Sequence, residues 1–254
     1  MKVLLTGAAG QLVQAIFNRL HKKCEIHQLD IHPIKVKDHH EYICGDILDR
    51  DLLWESMRGM DAVIHTGEFP QQLPADPHQR DQLLLELGTR GAHELCKIAV
   101  DAGVKRVVFG STLEMFSSYS DDKRINEQTK PQPTPEMAQL SPYLSERATR
   151  IAAQNYRVSM AVLRLGRLVD EREVLGQKPD LMWLDYRDAA RAFDVALDLD
   201  ASNEIRWEAR WMLYHICADI DNPKYLINAA QGIKFRPRHN FTEHWRRVGK
   251  GGRA

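Results

Sequence analysis

The chain has 254 residues, 43% of them hydrophobic, which is enough for one sizeable core or for one core with a small annex. Its 35 basic and 35 acidic residues balance, so no overall field attracts nucleic acid or an anionic membrane surface. No apolar run reaches the roughly 18 residues that a membrane span needs, and the four cysteines lack metal-ligand spacing. We therefore expect a soluble cytoplasmic protein with reduced thiols and no metal site.

Short apolar runs alternate along the chain with longer stretches of helical periodicity, which is typical of a parallel sheet flanked by helices. Six strands are predicted, at 2–7, 25–31, 41–47, 61–67, 105–112 and 160–166. Four helices are predicted between them, at 11–22, 49–60, 88–103 and 141–156. The segment 117–142 contains four prolines and little periodicity, so it is predicted to be a long loop. The expected fold class is α/β, with a doubly wound parallel sheet of the Rossmann type.

The first predicted strand runs into a glycine turn, TGAAGQL at 6–12, and then into a helix. Gly7 permits the tight turn, and Gly10 lets a phosphate approach the unpaired amides at the helix N-terminus. Val13 stands where a third glycine would let helix and strand pack closely. A plain strand-to-helix turn is therefore the alternative interpretation.

The second predicted strand ends in Asp30, about 20 residues after the glycine turn. A carboxylate there accepts hydrogen bonds from a ribose diol and repels a 2′-phosphate, which favours NAD over NADP. His32 and Lys35 lie nearby and keep the NADP alternative open. An ordinary turn residue is the other interpretation of Asp30.

The motifs and their order resemble the extended short-chain dehydrogenases/reductases, also called the NAD-dependent epimerase/dehydratase family. The resemblance extends over nearly the whole chain, with TGAAGQL at 6–12, GDILD at 45–49, DAVIHTG at 61–67 and STLEMF at 111–116 as its main pieces. It implies that a set of residues from these motifs binds the dinucleotide: Gly7, Ala9, Gly10, Gln11, Leu12, Asp30, Asp46, Ile47, His65, Thr66 and Gly67.

The resemblance implies Thr112, Tyr143 and Arg147 as catalytic residues, and the last two also as cofactor contacts. A phenol ordinarily titrates near pH 10, so it needs a neighbouring cation to act as a base. Residues four apart share a helix face, which places Arg147 beside Tyr143. The family has lysine at position 147; a guanidinium keeps the positive charge but does not readily pass a proton on. A core tyrosine next to a surface arginine is the alternative.

The resemblance is strongest to the short subgroup that contains uronate dehydrogenases, which oxidise free sugar acids. Ser111 and Glu114 are assigned to the substrate, and Arg167 and Arg172 are candidates for holding a carboxylate; a solvated charged loop is the alternative for the two arginines. We expect residues 1–165 to form the dinucleotide-binding domain with the catalytic segment. Residues 166–254 would form a small substrate-binding region and the C-terminal tail.

The predicted function is an oxidoreductase that transfers hydride between NAD and a hydroxyl of a small sugar or sugar acid. The replacements at Val13, Arg147 and Leu85, where the family usually has asparagine, keep a non-catalytic dinucleotide-binding sensor or scaffold open. A sugar epimerase with tightly held NAD is a further alternative. The resemblance also implies a homodimer formed by the helices that begin near Gly88 and Ser141. The basic tail at 244–254 is interpreted as a frayed terminus, so no nucleic-acid partner is expected.

Overall fold

The computed structural model describes residues 1–7, 9–32, 41–174 and 177–242. Lys35 and the basic tail lie outside these residues. Within them the chain forms the following strands: β1 (Lys2–Thr6), β2 (Glu25–Asp30), β3 (Tyr42–Cys44), β4 (Ala62–His65), β5 (Arg106–Thr112), β6 (Ser159–Leu165), β7 (Arg167–Val169), β8 (Trp183–Asp185) and β9 (Trp211–Ile216).

Helices occupy most of the segments between the strands. They are α1 (Gln11–Leu20), α2 (Arg50–Met57), α3 (Pro77–Glu86), α4 (Ala92–Asp101), α5 (Met137–Asn155), α6 (Tyr186–Leu197), α7 (Trp207–Arg210) and α8 (Asn228–Gly232). A π-helical turn, Leu87–Gly91, joins α3 to α4, and a 3₁₀ turn, Leu113–Phe116, follows β5.

Seven strands form one sheet in the order β3-β2-β1-β4-β5-β6-β9, and every neighbouring pair is parallel. The predicted doubly wound parallel sheet is therefore confirmed. β7 and β8 form a separate two-stranded parallel sheet. The expected boundary at residue 165 coincides with the end of β6, while β9 and α6, from the later region, join the main sheet and its helix layer.

Alternate residues of the interior strand β1 belong to two hydrophobic cores, one on each face of the sheet. Val3 and Leu5 pack in the core that α1 and α6 cover. Leu4 packs in the core on the other face, beneath α2, α4 and α5. Both faces of a parallel sheet are buried in this way, which is why its strands are apolar without alternation. The carboxyl ends of the strands remain open at one edge.

Two parts of the chain differ from the sequence-based expectation. The helix α3 was not predicted, because the segment QQLPADPHQRD at 71–81 is polar and proline-rich; the Asp76 side chain accepts a hydrogen bond from the Gln79 amide at 2.9 Å and caps the helix. The helix α5 begins at Met137, four residues earlier than predicted and two residues after Pro135. Pro142 lies inside this helix.

Within the described ranges, no helix is both long and apolar enough to span a membrane. The same residues contain no group of three or more His, Cys, Asp or Glu side chains arranged to hold a metal ion.

Candidate active site

A cleft of about 450 Å³ opens at the carboxyl ends of β1, β2, β4 and β5. Its wall is formed by the glycine turn after β1, the ends of β2 and β4, and the N-terminal half of α5. Parallel sheets of this kind bind ligands at the carboxyl ends of their strands. The site therefore lies where the topology predicts it.

The glycine turn presents the N-terminus of α1 to the cleft. Gly7 has a φ of +84°, and a Cβ built on it would lie 2.8 Å from Thr66 Oγ1, so only glycine fits there. No side chain caps α1 within the part of the chain that the structure describes. The amides of the first helical turn are thus available to an anion. Val13 is fully buried in the core, so the helix packs on the sheet without a third glycine.

Asp30 stands at the end of β2, half-buried in the cleft wall. Its Oδ2 accepts a hydrogen bond from the Ala9 amide at 2.9 Å, which ties the glycine turn to the neighbouring strand. Its Oδ1 accepts one from the His32 amide at 2.8 Å. The carboxylate is therefore held in place at the position predicted to meet a ribose. Asp46 and Ile47, which were predicted to bind the dinucleotide, also line the cleft.

The predicted residues at the end of β4 fall into two groups. His65 and Gly67 line the cleft. The His65 Nδ1 atom forms a hydrogen bond with Thr6 Oγ1 at 2.7 Å. Burial lowers the pKa of His65 to about 4, so this ring is neutral at pH 7. Thr66 is 2% exposed and lies beneath the glycine turn. Leu12 likewise points into the core, so its backbone amide is the part that can face a ligand.

Two glycines let the ends of β4 and β5 approach closely. Gly67 has a φ of +71°, and a Cβ built on it would overlap the carbonyl oxygen of Gly110. A Cβ on Gly110 would overlap the carbonyl oxygen of Thr66. The result is a flat floor without side chains between the two strands. Gly110 was not predicted, since a glycine inside an apolar strand carries no marker of which backbone it touches.

The three predicted catalytic residues lie on β5 and α5. Thr112 ends β5, and its Oγ1 accepts a hydrogen bond from the Glu114 amide at 3.1 Å. Tyr143 is half-buried, and the Arg147 guanidinium carbon lies 4.7 Å from the centroid of its ring. The helix spacing therefore brings the cation against the phenol ring, as predicted. Arg147 Nε is buried and has no hydrogen-bond partner among the described residues.

Ser111 was assigned to the substrate, but its side chain is used inside the protein. It is 7% exposed, and its Oγ donates to Glu146 Oε1 at 2.7 Å. The same carboxylate accepts two hydrogen bonds from Arg164, each 2.8 Å long. This buried network joins β5, α5 and β6, the first two of which carry the predicted catalytic residues. A buried ion pair whose members stand 18 residues apart has no sequence signature.

Both candidate carboxylate-binding arginines are already paired. Arg167 donates to Glu114 Oε1 from Nε at 3.2 Å and from Nη2 at 2.6 Å, and its Nη1 donates to Asp180. Arg172 grips Asp170 through Nε at 3.0 Å and Nη2 at 2.6 Å, with its side chain 78% exposed. The structure thus brings Glu114 and Arg167 together and leaves Arg172 in solvent.

Several cleft residues were missed by the sequence analysis. Leu85, which stands where the family usually has asparagine, is 40% exposed, and its neighbours Leu83 and Leu87 line the cleft instead. Glu68 and Tyr186 also line the cleft. The Glu68 side chain lies over Gly10, and burial together with the negative charge of Asp30 raises the pKa of Glu68 to about 7.

A cleft that offers helix amides to a phosphate beside a fixed carboxylate is typical of a dinucleotide-binding protein of the Rossmann class. A comparison with family models narrows this class, because the NAD dependent epimerase/dehydratase family matches residues 3–182. The chain belongs to that family. The predicted family, fold class, cofactor and oxidoreductase class are thereby confirmed.

The sequence identity between this chain and individual relatives is low. The chain is 26% identical to the NAD-dependent glucose-6-phosphate dehydrogenase of Haloferax volcanii over 261 residues, which cover 95% of this chain and 94% of that protein. It is 27% identical to the uronate dehydrogenase of Pseudomonas putida over 77% of this chain and 71% of that protein. The crystal structure of uronate dehydrogenase from Agrobacterium tumefaciens superposes with a TM-score of 0.78 at 18% identity, covering 98% and 88% of the two chains.

Proposed function

We propose that the protein is an NAD-dependent dehydrogenase that oxidises a hydroxyl group of a small sugar or sugar acid. The observation that carries this proposal is the contact between Tyr143 and Arg147 on the part of α5 that borders the dinucleotide cleft. The pair supplies a potential base and a cation beside it. The relatives named above are dehydrogenases of a sugar phosphate and of uronates, which supports a sugar-like substrate.

The residues of the cleft fit NAD. The first turn of α1 is uncapped, so its amides suit the pyrophosphate. The predicted contacts there are Gly7, Ala9, Gly10 and Gln11. The carboxylate of Asp30 suits a ribose diol. The flat floor at Gly67 leaves room for a planar ring. The carboxylate of Asp30 would repel a 2′-phosphate, which favours NAD over NADP. When bound, NAD supplies the hydride acceptor of the reaction.

The chain's own residues would handle the proton and the position of the substrate. Tyr143 takes the proton of the reacting hydroxyl while Thr112 holds that hydroxyl. The Thr112 oxygen already accepts a hydrogen bond from the protein, so its own proton remains to be donated outward. The Arg147 guanidinium places its positive charge against the face of the Tyr143 ring. A guanidinium keeps its proton, so the proton taken by Tyr143 must leave by another route, such as water.

The charge around the proposed substrate position favours a neutral sugar over a sugar acid. Glu114 and Asp180 bracket Arg167, so this cluster carries one net negative charge. Tyr225, whose phenol pKa is raised by burial and by the charge of Glu114, lies in the hydrophobic patch against which Tyr143 packs. Carboxylates accept hydrogen bonds from sugar hydroxyls, whereas a substrate carboxylate would be repelled and would find the guanidinium already engaged.

A screen for NADH formation tests the proposal. Matched pairs of substrates, such as glucose with glucuronate and galactose with galacturonate, are each offered with NAD. NADH formation with at least one sugar is expected, and faster with the neutral member of each pair. The dehydrogenase proposal fails if no member of the panel is oxidised while NAD binds.

A second candidate function is a dinucleotide-binding sensor without turnover. The observation that favours it is the guanidinium of Arg147, which lies over the Tyr143 ring and cannot relay a proton. Binding of NAD with no turnover, in both the natural protein and the Arg147→Lys variant, would favour the sensor.

The proposal includes the assembly and the location of the protein. Ile151 on α5 is 57% exposed, and such an apolar side chain is what a homodimer through α4 and α5 would cover. Sedimentation of the purified protein tests this assembly.

All four cysteines are free thiols, which favours the cytoplasm. Residues 166–254 would supply the substrate side of the site through Arg167, Asp180 and Tyr225.

A further inference from the structure

Glu68 is a carboxyl group placed inside the dinucleotide cleft. It follows Gly67 at the end of β4 and lines the cleft beside the glycine turn. A Cβ built on Gly10 would lie 2.6 Å from Glu68 Oε2, so the carboxyl stands directly over the turn that precedes α1. This is where the first-turn amides of α1 would meet a pyrophosphate.

The surroundings of Glu68 do not compensate a negative charge. Its Oε2 is buried and has no hydrogen-bond partner among the described residues. Asp30 adds a second carboxylate to the same wall from the end of β2. The Tyr186 phenol, at the start of α6, faces Glu68. Burial and the charge of Glu68 raise the pKa of the Tyr186 phenol. The N-terminus of α1 is the favourable neighbour, and a bound pyrophosphate would compete for it.

Two anions cannot share one helix N-terminus in a partly dry cleft without a large electrostatic cost. A protonated carboxyl can, because it carries no charge and donates one hydrogen bond. We propose that Glu68 binds the dinucleotide as a neutral acid, with its hydroxyl donated to an oxygen of the pyrophosphate or the adjoining ribose, so that dinucleotide binding takes up one proton. This inference rests on the proposed dinucleotide site and adds a binding residue to it.

The titration of Glu68 agrees with the geometry. Burial, and secondarily Asp30, raise the pKa of Glu68 from its ordinary value to about 7 in the free protein. Below that pH the carboxyl is ready to bind, and above it each pH unit lowers the fraction of the neutral form about tenfold. The dissociation constant of NAD should therefore rise by up to roughly 30-fold between about pH 6 and about pH 8.5.

The experiment measures the dissociation constants of NAD and of ADP-ribose by titration calorimetry at both pH values. Repeating the titration in two buffers of different ionisation enthalpy gives the number of protons taken up. The variants are Glu68→Gln, which keeps a hydrogen-bond donor without a titrating group, and Glu55→Gln, which removes a carboxylate on the exposed surface of α2. ADP-ribose lacks the nicotinamide, so it isolates the pyrophosphate and ribose contacts.

We expect the natural protein and Glu55→Gln to lose affinity as the pH rises and to take up close to one proton near pH 8. Glu68→Gln should bind with a constant that changes less than about twofold over this range, and more tightly than the natural protein at pH 8.5. A natural protein whose affinity does not depend on pH would overturn the inference while leaving the dinucleotide site intact, and so would a Glu68→Gln variant with the same pH slope. Failure of every form to bind either ligand at both pH values would reject the dinucleotide site itself.

Discussion

Replacing Glu146 by glutamine should destabilise the protein by about 3 kcal/mol, because a buried guanidinium then loses its counter-charge. Arg164 Nε and Nη2 donate to the two oxygens of Glu146, each at 2.8 Å. The side chains of Glu146 and Arg164 are 1% and 2% exposed, so water cannot take over either hydrogen bond. Ser111 donates to the same carboxylate at 2.7 Å.

The magnitude follows from what remains after the change. Breaking a buried ion pair by removing one partner typically costs about 3–5 kcal/mol. The side-chain oxygen of glutamine could still accept one hydrogen bond from Arg164. Its amide nitrogen, however, is a donor and would face a second N–H donor of the guanidinium. The Arg164 guanidinium carbon still lies 5.1 Å from the Phe116 ring centroid, and its Nη1 stays 3.4 Å from His215 Nε2. We therefore expect the loss in the free energy of unfolding to be about 3 kcal/mol, at the lower end of that range.

Urea unfolding followed by tryptophan fluorescence measures this loss. Glu55→Gln is the matched control, since the Glu55–Arg58 pair is 66% and 64% exposed and should contribute less than about 0.5 kcal/mol. The double change of Glu146→Leu with Arg164→Met should be more stable than either single change, because it leaves no buried charge unpaired. A loss below about 1 kcal/mol for Glu146→Gln would refute the reasoning.

Gly67→Ala should lower the free energy of unfolding by at least about 2 kcal/mol more than Gly59→Ala. Both glycines have a positive φ, but only at Gly67 does a Cβ overlap neighbouring backbone, so equal losses in urea unfolding would contradict the close approach of β4 and β5. Arg147→Lys should raise the steady-state turnover roughly tenfold, because an amine can relay a proton that a guanidinium keeps. Arg150→Lys, on the same helix with its guanidinium over Trp207, should leave turnover unchanged, and a fall in turnover for Arg147→Lys would contradict the relay argument.

The sequence predicted the scaffold well because its signals are local. Six apolar runs and the glycine punctuation located β1 to β6, α1, α2 and α4 from periodicity and turn chemistry alone. The strand β9 was missed because WMLYHI at 211–216 follows a four-residue helix without a turn signal, and its membership of the sheet depends on pairing with β6. Likewise, α3 is a polar helix that packs on α5, a partner distant in the sequence.

The site was predictable only where one residue type carries a chemical role. Asp30 and the Tyr143–Arg147 spacing have such a role. Asp30 lines the cleft, while Tyr143 and Arg147 contact each other on α5, the helix whose N-terminal half borders the cleft. Glu68 and Glu146 do not, since a carboxylate in a sequence is most often solvated and its burial depends on partners distant in the chain. Ser111 shows the converse: a polar residue at a strand end was assigned to the substrate, and in the structure its hydroxyl donates to the buried carboxylate of Glu146 on α5.

In the proposed function, the Tyr143 phenol is the base of an NAD-dependent sugar dehydrogenase. The direct test is the steady-state rate of NADH formation by Tyr143→Phe on the sugar that the natural protein oxidises fastest, with the dissociation constant of NAD measured in parallel. The account predicts a fall in kcat of at least about 100-fold, with the NAD constant changed less than about threefold. Tyr156→Phe, at the residue that follows the C-terminal end of the same helix, should match the natural protein. Unaltered turnover in Tyr143→Phe would contradict the account.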